Sequence, residues 1–192
     1  MTPRNLSNDR LLLSPSVLSY KILCSAFIPQ PFDPTSRLRV VGLHAIATVS
    51  VIRRHLKNGY RLAGIECGGR GFRQDLLFEA PSGKTRLSEV KSAQIIRPLH
   101  KIQAALYWQP NNGIDEIVVS NREIDIPLSS HYILEIAEKA QTVLETLRGT
   151  PETARTTYTP NLECRYCANS SCPWLPLSKA VRPSFSNPFS ER

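Results

Sequence analysis

Apolar side chains recur along this chain with two different periods, and the switch between them outlines the fold. From residue 38 to 57, Val40, Leu43, His44, Ala47, Val51 and Leu56 recur near a helical spacing, which predicts a helix that Asn58-Gly59 ends. The same period over 129–148 places Ile133, Ile136, Ala137, Ala140, Val143, Leu144 and Leu147 on one face of a second long helix. Ser129 or Ser130 is suited to cap it and Gly149 to close it. Two shorter helices are expected, at 14–24 with Ser14 as cap and Pro15 in the first helical position, and at 97–108 with Pro98 in the first turn. Between them lie strand-like runs at 60–67, 72–79 and 85–92, then 114–119 hairpinned to 123–126. Gly68-Gly69, residues 80–84 and Asn111-Asn112-Gly113 supply the turns. This order predicts an α/β fold, a mixed central sheet with one meander and one crossover, flanked by helices. A linker with Pro29, Pro31 and Pro34 precedes the first long helix, and the Pro- and Ser-rich tail at 174–192 is expected to be extended or mobile.

The second and third strands carry the chemistry. With the turn taken as 80–84, Glu79 faces Thr85, and stepping back along both strands brings Asp75 directly opposite Glu89. Opposed residues of an antiparallel pair share a face with Cβ atoms roughly 4.5–5.5 Å apart. Two carboxylates so close destabilise each other unless something neutralises them, and a divalent cation is the natural agent. Lys91, two residues past Glu89, projects from the same face. A solvated strand face would also carry charges, but it would set Glu89 across from a lysine, not from Asp75. Carboxylates suit Mg²⁺ or Mn²⁺, which polarise a phosphate and acidify water, and an adjacent ammonium can stabilise the charge that develops. Glu66, near the end of the first strand, is a further carboxylate, read as a surface residue before a supporting one.

The 192 residues suffice for one domain, and 41% hydrophobic content is that of a globular chain. A formal charge of +8 suits a polyanionic partner, nucleic acid first, and equally suits plain solubility. The sequence shows no run of roughly 20 apolar residues and no basic, apolar, small-residue leader, so a cytoplasmic protein without a membrane partner is expected. Of five cysteines, three fall within nine residues as Cys164-x2-Cys167-x4-Cys172 followed by Pro173. In a reducing compartment such a loop reads as metal ligands before disulfides. Structural zinc sites commonly use two paired knuckles, whereas Cys-Pro is familiar at the last ligand of iron–sulfur loops. A fourth ligand must come from upstream, from Cys24 or Cys67.

In order, Gly42-Leu43-His44, Asp75, Glu89-Val90-Lys91 and Gln103-x3-Tyr107 resemble the GxH, D, ExK and QxxxY series of RecB-like PD-(D/E)XK nucleases. With one N-terminal and three C-terminal cysteines, the chain is most similar to the CRISPR-associated branch, the Cas-four exonucleases, over about residues 14–173. The resemblance implies a restriction-endonuclease-like core at about 38–148 and cluster-binding segments at about 14–37 and 150–173. These would form a single domain, with an iron–sulfur clasp joining the N- and C-terminal segments. It implies that His44, Asp75, Glu89 and the Val90 carbonyl bind Mg²⁺ or Mn²⁺. Lys91 would be the catalytic lysine, and Gln103 and Tyr107 would position the metal site or the DNA strand. It implies Cys24, Cys164, Cys167 and Cys172 as ligands of a 4Fe-4S cluster, with 2Fe-2S or zinc as alternatives and Cys67 as the spare. The chain departs from the family pattern in three places. Gly71 stands four residues before Asp75, not three, which implies a bulge; Ser25, not Pro, follows Cys24; and the last cysteine spacer is four residues, not five. The implied activity is a metal-dependent exonuclease acting on single-stranded DNA or DNA ends, trimming fragments for CRISPR adaptation beside integration proteins. A viral or mobile-element recombination nuclease would carry the same residues. A non-catalytic DNA-binding adaptor or a zinc-stabilised interaction module are the rival classes.

Overall fold

Ser14 accepts the Val17 amide at 3.3 Å and Pro15 opens the helix, so α1 (Pro15–Leu23) starts where the sequence predicts. The computed structural model describes residues 14–24, 28, 34–67, 74–109, 112–148, 164, 167, 168 and 172. Pro29, Pro31, Gly68-Gly69, the bulge expected near Gly71, the cap at Gly149, most of 150–173 and the tail at 174–192 lie outside them.

The first long helix, α2 (Pro34–Lys57), begins four residues earlier than the periodicity suggests. Pro34 belongs to its first turn, where a missing amide hydrogen costs nothing because no intrahelical acceptor awaits it. Its buried face also differs from the expected one. Ala47, Val51 and His55 face the sheet, while Leu43 and Leu56 are 42% and 50% exposed. His55 stacks on Phe78 with ring centroids 4.2 Å apart and donates from Nδ1 to the Val51 carbonyl at 3.0 Å. Burial, above all, pushes its pKa below the usual histidine value and keeps the ring neutral.

The strands are β1 (Arg61–Cys67), β2 (Gln74–Glu79) and β3 (Thr85–Val90). After α3 (Pro98–Ala105) come β4 (Glu116–Ser120), β5 (Asp125–Pro127) and α4 (Ser130–Arg148). They form one five-stranded sheet in the order β1-β2-β3-β4-β5. The first three make an antiparallel meander, α3 carries the chain over so that β4 runs parallel to β3, and β5 returns antiparallel. The expected mixed α/β sheet is therefore present. The 80–84 turn closes as predicted: the Ala80 amide bonds the Lys84 carbonyl at 2.8 Å, and Gly83, at φ +82°, takes a conformation that side chains resist. A register irregularity lies in β1 between Leu62 and Gly64.

Alternation sorts the sheet into two faces. Leu76, Phe78 and Val90 pack with Ala47 and Val51 under α2. Leu87, Ile117 and Val119 meet Leu18 of α1, Ile102 and Ala104 of α3, and Ile133, Ile136, Ala140 and Leu144 of α4. Each such large apolar side chain contributes about 1.5–3 kcal/mol on burial. Ser129 caps α4, accepting the Tyr132 amide at 3.2 Å. Among the described residues no helix is long and apolar enough to cross a membrane.

Candidate active site

The β2–β3 ladder has the register deduced from the turn: Glu79 faces Thr85, Phe78 faces Arg86, Leu77 faces Leu87 and Leu76 faces Ser88. One step further the strands part, and Asp75 closes the gap with its side chain, accepting the Val90 amide on Oδ2 at 2.8 Å. Asp75 and Glu89 share the parity of Leu77 and Leu87, so both carboxylates belong to the α1/α3/α4 face of the sheet. The other oxygen, Asp75 Oδ1, lies 3.7 Å from His44 Nε2. His44 comes from α2, which packs on the Leu76, Phe78 and Val90 face of the sheet. Its Nδ1 lies 3.3 Å from the Thr48 hydroxyl one turn on.

Glu89 is 2% exposed. Its Oε1 accepts Lys91 Nζ at 2.6 Å, and its buried Oε2 has no hydrogen-bond partner among the described residues. Burial pushes the Glu89 carboxyl up to about 7, against the pull of Lys91, and the negative charge of Asp75 adds to the rise. A buried carboxylate oxygen without a partner is costly, and satisfying it is what a bound cation does. Carboxylate oxygens are the donors that suit Mg²⁺ or Mn²⁺. Among the described residues no three His, Cys, Asp or Glu side chains already stand in an arrangement that would hold a metal ion.

Lys91 follows the last residue of β3, and its amide continues the sheet by donating to the Ser120 carbonyl at 2.8 Å. Its ammonium also donates to Gln103 Oε1 at 2.8 Å, so the expected partnership of Gln103 with the acidic patch runs through the lysine. His100, one turn before Gln103, is kept neutral, its pKa pushed down to about 4 by burial first and then by the charges of Lys91 and Arg97. Tyr107 lies beyond the end of α3, in the turn after it, and is buried in the main apolar core. The helix expected over 97–108 ends at Ala105; the Leu106 amide still bonds the Ile102 carbonyl, and the Tyr107 amide bonds the Ala104 carbonyl at 3.1 Å. Glu66 is exposed near the end of β1, with the left-handed φ of 51°.

Three contributors escaped the sequence reading. Asn121, 2% exposed, donates to the carbonyls of Ala93 at 3.3 Å and Gln94 at 2.7 Å, fixing the loop that leaves Lys91. Arg54 bonds Asp125 through both carboxylate oxygens, at 2.9 and 2.6 Å, and also donates to the carbonyls of Asn121, Arg122 and Ile124. It thereby ties α2, which carries His44, to the β4–β5 turn. Ser16 of α1 accepts from Gln103 Nε2 at 3.3 Å. None belongs to a local motif, and an Asn or Arg beside a turn is unremarkable in sequence.

The second cluster lies where the end of α1 meets Cys167. Cys24, at the C-cap of α1, and Cys167 are both buried, packed together with Tyr20 against them. Cys167 Sγ accepts the Ile28 amide at 3.5 Å, and the Ala168 amide donates to the Ile28 carbonyl at 2.7 Å. Cys164 and Cys172 are half-buried. Cys67 ends β1 opposite Gln74; its side chain lies outside the described residues. Compared with protein-family models and with curated proteins, the chain matches none.

Proposed function

We propose that this chain is a Mg²⁺- or Mn²⁺-dependent DNA nuclease with a PD-(D/E)XK-type core. One observation carries the reading. Two carboxylates from adjacent strands share one face where the sheet opens, an ammonium is bound to one of them, and a buried Glu89 oxygen is left without a partner among the described residues.

In this reading Asp75, Glu89, His44 and the Val90 carbonyl hold the cation. When bound, it would polarise the scissile phosphate and lower the pKa of an attacking water. Lys91 stabilises the charge that develops on the phosphate oxygens. Glu89 Oε1 and Gln103 Oε1 aim that ammonium. Asp75 has a second task, since its bond to the Val90 amide fixes the backbone between the two acidic strands. Tyr107 supports the α3 end of the site from within the core. The +8 charge favours DNA, and binding should weaken with salt by roughly 0.7–0.9 in log–log slope per phosphate neutralised. We propose further that Cys24, Cys164, Cys167 and Cys172 hold an iron–sulfur cluster, with 4Fe-4S favoured. The role would be exonucleolytic processing of DNA ends, as in CRISPR adaptation. The meeting of Cys24 with Cys167 supports the clasp.

The test is cleavage of end-labelled single- and double-stranded DNA with Mg²⁺, Mn²⁺ or chelator. Metal-dependent loss of label, abolished in Lys91→Ala and Glu89→Ala, is expected. DNA binding without cleavage under any metal would instead identify a non-catalytic adaptor.

A further inference from the structure

We infer that Ser16, in the first turn of α1, is a positioning residue for Lys91, acting through the Gln103 amide. Lys91 carries only donors and so selects the oxygen end of that amide, at 2.8 Å. The nitrogen end is left to the Ser16 hydroxyl, at 3.3 Å. With both ends held, a flexible glutamine side chain becomes a fixed strut between α1 and the end of β3. Without Ser16 the side chain keeps one anchor and regains rotamer freedom, and Lys91 keeps one firm acceptor, Glu89 Oε1.

Ser16 is itself held from below. Its carbonyl accepts the hydroxyl of Ser19 at 2.7 Å, and Ser19 is fully buried. Leu18, 4% exposed, anchors the same helix in the main core, and Cys24 caps it beside Cys167. The line Ser16–Gln103–Lys91–Glu89 therefore connects a helix outside the nuclease sheet to the acidic patch. The Ser16 hydroxyl is on the exposed side of this line, so it can be altered without opening the core. The functional consequence rests on the nuclease reading; the geometry does not.

The experiment uses the full chain, first free of divalent metal. In ¹⁵N-labelled protein the Lys91 ammonium, held by two acceptors, should give a slowly exchanging signal that Lys91→Ala identifies. Ser16→Ala should shift and broaden that signal, and Ser16→Thr, which keeps the hydroxyl, should restore it. In cleavage assays Ser16→Ala should lower kcat about two- to tenfold at unchanged KM, the effect of one modest hydrogen bond, with recovery in Ser16→Thr. An unchanged Lys91 signal in Ser16→Ala would overturn the inference. A raised KM at constant kcat would do the same by making Ser16 a DNA contact. Undiminished cleavage by Lys91→Ala would defeat the nuclease role of the lysine, while the metal-free spectra would still decide the role of Ser16.

Discussion

The Val90 amide donates to Asp75 Oδ2 at 2.8 Å, so a proposed metal ligand is also the residue that finishes the β2–β3 ladder. Its two oxygens are divided, one on the backbone and one turned toward His44. Asp75→Asn keeps a carbonyl oxygen for the Val90 amide and loses the charge. It should abolish cleavage with little change in melting temperature. Asp75→Ala removes the acceptor as well and should cost about 1–3 kcal/mol, the penalty for a buried donor left unpaired. Thermal unfolding of both variants checks this; identical stabilities would show that the backbone bond contributes nothing.

Glu89 gives the site its pH dependence. Its pKa is raised from 4.5 to about 7, so in the metal-free protein this group stabilises the fold fully below 4.5 and loses that contribution as pH rises through about 7. A cation competes with the proton, so metal affinity and cleavage should rise through the same region. Glu89→Gln removes the buried charge while Lys91 keeps Gln103 as acceptor. It should be inactive yet at least as stable as the natural chain at pH 8 in chelator. A clear drop in its melting temperature there would mean that the Lys91 pair outweighs the cost of burial.

Arg54 is expected to be the strongest single tie between α2 and the β4–β5 hairpin. Burial alone would raise the Asp125 carboxyl, but hydrogen bonds from Arg54 and Ser120 prevail and hold it below its usual range. Arg54→Ala should cost about 2–4 kcal/mol, because it strands a half-buried carboxylate and several carbonyls at once. Arg54→Lys should recover little, since a point charge cannot replace the planar fork. Denaturant unfolding would measure both, and a lysine variant of full stability would sink the fork argument.

Cys24 and Cys67 separate by colour. Anaerobically purified protein should be brown; Cys24→Ser should bleach it and lower its stability, since the bond closes a very long loop, while Cys67→Ser should do neither. Colourless protein with stoichiometric zinc would replace the cluster by a structural zinc. Bleaching by Cys67→Ser alone would transfer the fourth ligand to that position.

Among the described residues, the sequence by itself determined the helices and strands, their order and the β2–β3 register from Leu76 to Glu79, because these follow from local periodicity and from one short turn; it did not determine that the ladder stops short of Asp75 and Glu89. Strand alternation has period two, so once the turn at 80–84 is located, every partner in β2 and β3 is fixed. The boundaries were less legible. Pro34 sits in a proline-rich stretch that reads as linker, and periodicity extends the helix of Gln103 as far as Tyr107, although helix ends depend on what neighbouring segments leave unpaired. Only the tertiary structure decided which carboxylate is buried to 2% exposure and left with an unpartnered oxygen. It alone decided that His44 meets Asp75, and that Ser16, 87 residues from Gln103, holds its amide. Those relationships join residues far apart in the chain, and no local pattern encodes the packing of α1 and α2 on opposite faces of the sheet that brings them together.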